Sequence, residues 1–547
     1  MDASDRLKAS DMRRHAAGLA LTASLALGGS LVAASVSAET FRFANQGDAI
    51  SMDPHSLNES LQLSITGNIY EPLVARGKNL ELVPGLATDW KQTSPTVWRF
   101  NLRKGVTFHD GTPFTADDVI FSYQRARGDG SDVKTYVQEI AEIRKVSDTA
   151  IDVVTKAPFP ILPDVISLWY IMSKKWCEDN RAAVPVDKRK GIENTASFRA
   201  NGTGPFRLRA RDPGIRTTMS RNFNYWDKKI DTNVDEVIFT PIGNPSTRVA
   251  ALLSGEIDMM EPVPVQDVAR IGGNPGLKVL QGPEMRTIFL GMDQKRDELL
   301  FSSVKGKNPF KDRRVRLAFY QAIEINAIQK AVMRGASTPT ALMIAPGTKG
   351  FPADLNKRFA YDPEASKKLL ADAGYPQGFE VGLNCPNDRY VNDEEICKAV
   401  AAMLARVGVK INLMSETKGT YFPKILSRNT SFYLLGWTPG TYDSHNPLNA
   451  LMSTPDDKTG RGQFNLGSYS NPKVDELTAT IASETDQTKR NQMIHEAMKI
   501  HQDDVGHLPL HQQALAWAMK KTVTLVQLAD NFMPLKYVVV KDGKKGD

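Results

Sequence analysis

The chain has 547 residues, 41% hydrophobic and 24% charged, which is too long for one core and suits a globular protein of about three domains. Its net charge of +7 is spread among interspersed acids and bases, a mildly basic surface that argues against a nucleic-acid footprint. Three cysteines without CxxC spacing argue against a thiolate metal centre or a redox dithiol.

Residues 1–38 read as an export signal. Arg6, Lys8, Arg13 and Arg14 make a positive start, residues 16–34 are apolar and Ala-rich, and Val36-Ser37-Ala38 is a small-residue cleavage site that leaves Glu39 as the new N-terminus. An uncleaved anchor is the alternative, because the apolar run nearly reaches spanning length; the small residues and Gly28-Gly29 favour cleavage. No Cys stands at the cleavage point, so lipidation is not expected. No later segment is long and apolar enough to cross a bilayer.

A short strand begins at Phe41-Arg42-Phe43, and residues 47–63 form a polar, turn-rich loop containing Asn58 and Ser60. Such a loop faces either a cleft or plain water. Residues 97–102 alternate apolar and polar, which predicts a half-buried strand. Thr115-Ala116-Asp117-Asp118 is a capping box that opens a helix over 119–127. Farther on, Asp362 caps a helix with Pro363 at its first position, and Gly374 ends it. Residues 379–384 read as a strand, 393–407 as a helix with one apolar stripe, and 409–413 as the next strand. Strand–helix–strand order predicts α/β layers with a partly parallel sheet. Residues 432–435 form a further strand that breaks at Gly436 and runs into a loop with Trp437, Gly440, Tyr442 and Asp443. This stretch is either a pocket wall or an ordinary strand exit with a packed Trp.

Several segments in order carry a resemblance: Glu71-Pro72-Leu73, Pro84-Gly85-Leu86-Ala87, LRKGVTFHDGTPFTADDV at 102–119, GTGPF at 202–206, RNFNYWD at 221–227, RVAALLSGEID at 248–258 and FKDRRVRLAFYQAI at 310–323. Together they resemble the extracellular solute-binding proteins of family 5, the peptide-, nickel- and opine-type receptors of ABC importers. The resemblance spans residues 41 to about 540. It implies an α/β, two-lobed periplasmic-binding-protein fold with an additional domain, its lobes hinged around a central cleft. It also implies discontinuous domains: residues 39–71, 202–282 and 510–547 as a first lobe, 72–201 as the extra domain, and 283–509 as the other lobe. The expected protein is a periplasmic, monomeric, non-enzymatic receptor. It needs no cofactor, binds a small molecule or peptide and no nucleic acid, and works with ABC permease and ATPase subunits of the inner membrane.

The resemblance also sharpens the site. Arg389 lies between a strand end and a helix start; alone, such an Arg is commonly solvated, although its fork suits a carboxylate. In the dipeptide-binding members an Arg at this position holds the peptide carboxylate. Those members also carry an acid three residues after the Trp of the GW motif, where this chain has Gly440, with Asp443 close behind as a substitute. An Arg without that Asp points to an anionic or blocked ligand, such as an opine, a modified peptide or an acidic conjugate. Arg286 lies on a strand that the family passes between lobes, facing either the cleft or the surface. Tyr421 is a second candidate wall, or core. Arg389 and 437–443 are expected on one lobe, and the loop with Asn58 and Ser60 on the other.

Other chemistry is weakly represented. His495, His501, His507 and His511 cluster in sequence, but Pro509 separates the last two and Lys499 stands where a zinc-protease second His is required. No GxSxG elbow or P-loop occurs. A secreted hydrolase of peptide-like substrates is the alternative function, and the residues supply no nucleophile–base pair for it. Cys385 and Cys397 can close a short loop in an oxidising compartment; a helix position facing a strand end leaves that pairing open.

Overall fold

A computed structural model describes residues 39–541; the expected signal segment, 1–38, lies outside the described residues. Two long antiparallel strands, Leu277–Met292 and Leu508–Lys520, form a spine paired from Leu277↔Lys520 to Leu290↔Leu508. At one end of the spine, Thr287–Met292 pairs with Phe432–Trp437, and the sheet continues through Glu380–Pro386 to Lys410–Glu416. At the other end, Met519 and Ala518 pair with Met259–Glu261. From there the sheet runs through Thr40–Asn45, Glu236–Pro241 and Arg216–Arg221 to Phe206–Asp212. The spine's register shifts between Pro283 and Thr287, between the two attachments. One continuous sheet thus serves two halves, joined where its hydrogen-bond ladder is irregular.

The apolar cores follow the same division. One gathers around Phe310, Phe319, Phe379 and Phe432, and another around Phe41, Phe43, Phe206 and Phe239. A third fills the space behind a separate four-stranded antiparallel sheet of Ala87–Ser94, Val97–Leu102, Ala150–Thr155 and Ile140–Ser147. The segment expected wholly within the extra domain divides: Tyr170, Met172, Cys177 and Ala196 pack with Phe41 and Phe206 in the neighbouring core.

Local chemistry sets the boundaries. Thr115 caps the helix Ala116–Ala126 with a complete capping box, and Asp362 Oδ1 accepts from the Ala365 amide ahead of Pro363–Asp372. The strands Glu380–Pro386 and Lys410–Glu416 pair in parallel, joined by the helix Asp393–Ala405. Contrary to the sequence expectation, the strand at 432 does not stop at Gly436 but runs on through Trp437. The glycine is needed for proximity: a Cβ there would meet Tyr390 Cε1 at 2.7 Å and Arg286 Cδ at 3.1 Å. Cys385 and Cys397 are joined in a disulfide. Among the described residues no helix is long and apolar enough to cross a membrane.

Candidate ligand-binding site

Between the halves lies a narrow cavity of about 50 Å³. It is bounded by the turn at 57–60, the spine at Arg286, the loop carrying Arg389 and Tyr390, and the strand exit from Leu435 to Tyr442. Seven residues singled out in the sequence line it: Asn58, Ser60, Arg286, Arg389, Trp437, Gly440 and Tyr442.

Arg389 is placed by the start of the following helix. The amides of Arg389 and Tyr390 both donate to Asp393 Oδ2, each at 2.9 Å, which folds the loop back over the helix end. The disulfide ties the strand before this loop to the helix after it. The Arg389 Nε lies 2.6 Å from Glu59 Oε1, and Lys418 Nζ lies 3.2 Å from the other oxygen of the same carboxylate. Glu59 also caps the helix Ser60–Thr66, accepting from the amides of Leu61 and Gln62. Burial opposes its ionisation, but Arg389, Lys418 and these amides outweigh burial and hold it at a pKa of about 2. Burial likewise opposes the charge on Arg389, and Glu59 keeps its pKa raised. Lys418 is lowered, first by burial and then by the neighbouring guanidinium, against the pull of Glu59.

Arg286 donates through Nε to Glu284 at 2.8 Å and through Nη2 to Ser60 Oγ at 3.1 Å. Gln513, on the other spine strand, holds the second oxygen of Glu284 at 2.5 Å. The two guanidinium groups lie 5.8 and 4.8 Å from the Tyr390 ring centre, Arg286 and Arg389 respectively. Trp437 donates to Asn446 at 2.8 Å, which fixes its ring beside Phe464. Asn58 accepts from Tyr136 at 2.8 Å, while its Nδ2 and the Thr438 hydroxyl are buried without a partner among the described residues. Arg389 Nε, although 2.6 Å from Glu59 Oε1, is buried without a well-directed hydrogen bond among the described residues, so donors from several walls remain unused.

Two candidates lie elsewhere. Asp443 is not a substitute for the missing acid: Arg490 grips both its oxygens at 2.7 and 2.9 Å, a buried bidentate pair that holds the loop. Tyr421 is core, fully buried on the helix Lys418–Leu426 with its hydroxyl donating to Leu434 O. Glu59, Lys418 and Asp530 join or back the site without having been foreseen. Glu59 sits between two residues that the sequence did single out; Lys418 and Asp530 arrive from distant segments with no local signal. His501, His507 and His511 are buried, with His501 Nε2 2.9 Å from His507 Nδ1, whereas His495 meets Asp354 at the surface. Among the described residues no group of three or more His, Cys, Asp or Glu is arranged to hold a metal.

Residues 81–459 match the family described as bacterial extracellular solute-binding proteins, family 5 Middle. The chain is 26% identical over 526 residues to the dipeptide-binding protein of Escherichia coli (strain K12), covering 90% of this chain and 92% of that one. It is 23% identical over 485 residues to the glutathione-binding protein GsiB of Salmonella choleraesuis (strain SC-B67), covering 87% and 89%. Its fold matches that of the periplasmic binding protein DppA from Helicobacter pylori, solved with the peptide STSA, at a TM-score of 0.81 and 23% identity over 92% of this chain and 98% of that one. The two-lobed α/β fold and a family match over most of its length agree, and the chain belongs to the extracellular solute-binding proteins of family 5.

Proposed function

We propose that this protein is the periplasmic receptor of an ABC importer, exported by a signal peptide cleaved after Ala38. As a monomer it closes its halves over a small peptide-like or anionic solute. It passes the solute unchanged to permease and ATPase subunits of the inner membrane and acts as a carrier, not an enzyme. The observation that carries this reading is the setting of Arg389. Two buried cations, Arg389 and Lys418, share the carboxylate of Glu59, and Arg389 lines the cavity with no well-directed side-chain hydrogen bond among the described residues. That leaves a buried guanidinium whose fork suits a solute carboxylate. Asn58 and Ser60 come from one half and Arg389 and Trp437 from the other, so a solute touching both binds the closed form better than the open one. Relatives named for binding dipeptides and glutathione support the solute class.

The test is a thermal-shift and calorimetry screen of the mature protein against dipeptides, glutathione, opines and nickel chelates. A true ligand at ~100 times its Kd adds about 2.7 kcal/mol of stability. Arg389→Gln is expected to abolish the response to carboxylate-bearing compounds, and mass spectrometry of the recovered solute to show it intact. Binding that ignores Arg389→Gln, or a chemically altered solute, overturns the reading.

A further inference from the structure

Beside the central cavity, a second contact joins the two sides of the molecule. The segment 131–138, whose Val133, Tyr136 and Val137 sit in the third core, packs on the loop that leads to Phe464, which belongs to a core with Tyr433 and Trp437. Gln138 donates to Asn449 at 2.9 Å, and Asn449 to Thr135 at 3.2 Å. Tyr136 and Phe464 also line the cavity, so this seam borders the space between the halves.

At the seam a buried acid meets an amide. Gln463 Nε2 donates to Asp132 Oδ1 at 3.1 Å and to Ser131 O at 3.3 Å. Those two acceptors fix which way the amide points. The remaining oxygens of the pair, Asp132 Oδ2 and Gln463 Oε1, are both buried with no donor among the described residues. An ionised carboxylate cannot help, because both atoms only accept. A protonated one can: its O–H donates to the amide oxygen while its carbonyl accepts from the amide nitrogen, and one proton serves both orphaned atoms.

The surroundings supply little counter-charge. Asp132 is 2% exposed, and Arg189 stands off at 3.8 Å, with Asp187 at 3.4 Å and Asp129 O at 2.9 Å as its closer partners. Lys134 lies 3.9 Å from Asp129. Behind the acid, the Asp132 amide donates to the carbonyl of His55, whose ring burial holds at a pKa of about 4, and the Asp53–Arg125 pair beyond is closed on itself. On the opposite loop Arg461 turns to Thr454 O, and Asp456 accepts from the Lys458 amide and the Thr459 hydroxyl. Burial accordingly raises Asp132 to about 6; Arg189 opposes the rise and Asp187 adds to it.

We propose that Asp132 and Gln463 form a proton-dependent latch, closed with the acid protonated and paired to the amide, and released when Asp132 ionises. The latch goes beyond the receptor reading and rests on it only for the parting of the two sides. When the seam opens, Asp132 meets water and returns toward its ordinary value near 3.8. Closure therefore takes up a proton between the two values and strengthens as pH falls. The closed-to-open ratio is expected to rise about 10-fold from pH 7 to pH 5.

The test is hydrogen–deuterium exchange, read by mass spectrometry on the mature, solute-free protein, with wild type and Asp132→Asn compared at pH 5 and at pH 7. Asn carries permanently the donor that the acid gains by protonation. The variant is expected to protect 131–138 and 449–463 better than wild type, with a lead that shrinks about 10-fold between pH 7 and pH 5. Circular dichroism and melting check its fold. Gln463→Lys gives the ionised acid a cation and is expected to hold the seam equally at both pH values. A lead that is the same at both, or no lead at all, overturns the latch and leaves the Arg389 reading untouched. If both segments exchange only together with the spine strands, the two sides do not part, and the latch and the closing receptor fall together.

Discussion

The Arg389 Nε sits 2.6 Å from Glu59 Oε1, and the two residues adjoin elements that pack into different cores, the helix Ser60–Thr66 with Phe41 and the helix Asp393–Ala405 with Phe310. The contact does two things at once: it links the halves across the cleft, and it keeps a buried guanidinium charged at the cavity wall. Replacing Glu59 by Gln leaves Arg389 and Lys418 buried without a counter-charge. Losing one member of such a cluster costs about 3–5 kcal/mol, so Glu59→Gln is expected to lower the urea midpoint at pH 7 with little change in slope. The pH dependence has a fixed sign. Glu59 is depressed to about 2 in the folded protein, so its contribution is present above its ordinary range near 4.5 and fades as pH falls toward 2. The variant is therefore expected to show less acid sensitivity over that window. An unchanged midpoint at pH 7 would show the cluster to be energetically idle.

Gly440 offers a test of why the acid is missing from the Trp437 loop. A side chain there collides with the end of Leu168, and Tyr136 Oη lies 3.6 Å away. Gly440→Asp alone is expected to destabilise by about 1–3 kcal/mol through overpacking. Leu168→Ala makes room, so the double variant should be more stable than the sum of the single changes predicts, by ~1 kcal/mol. Strict additivity in thermal unfolding would mean that the glycine is not there for want of space.

How far the sequence reached depended on whether a residue's role was local. Capping at Thr115 and Asp362, the strand–helix–strand run around Arg389, and the aromatic exit at Trp437 are all set by neighbours in the chain and were legible. Asp443 was misread for the same reason. It is close in sequence to the position of the missing acid, yet Arg490, 47 residues away, claims it. Nothing near Asp530 announces that Tyr442, 88 residues earlier, meets it at the cavity wall. The strand at Gly436 outlasted its expected break because an approach by Tyr390, from another strand's exit, required a residue without Cβ. Pairing across the cleft is a tertiary fact, and one-dimensional patterns carry little of it.

The disulfide bears on the site as well as on stability. Cys385 and Cys397 bracket Arg389, and the sequence separation of 12 makes a short closed loop. Cross-linking a loop of this size restricts the unfolded chain by about 3 kcal/mol in the chain-entropy picture. Cys385→Ser/Cys397→Ser is expected to lose stability of that order. Because the loop carrying the guanidinium then loses its covalent tie and keeps only non-covalent ones, to Asp393, Glu59 and Gln46 among others, affinity for carboxylate-bearing compounds should fall too. Calorimetric melting and titration of the double variant check both. Full affinity with reduced stability would confine the bond to a structural part.

A second buried acid predicts the opposite pH dependence from Glu59. Glu261 ends the strand Met259–Glu261; its Oε1 accepts from Asn45 at 3.1 Å and its Oε2 has no partner among the described residues. Burial pushes its pKa up to about 8; the Asn45 hydrogen bond works against this, and the nearby Glu284 adds to it. In the folded protein the group keeps its proton at pH values where the unfolded chain has already lost it. Stability should therefore fall as pH rises from about 4.5 to about 8 and level off above, by at most ~1.4 kcal/mol per pH unit. Asp393, which burial raises to about 7, contributes with the same sign up to that point, so removing Glu261 alone flattens the slope only in part. Glu261→Gln keeps the shape and a hydrogen-bonding side chain but cannot ionise. It is expected to match wild type near pH 4.5 and to be the more stable of the two at pH 8. Denaturant titrations at pH 5, 6, 7 and 8 measure the difference directly, and parallel curves for the two proteins would show that Glu261 does not titrate in this range.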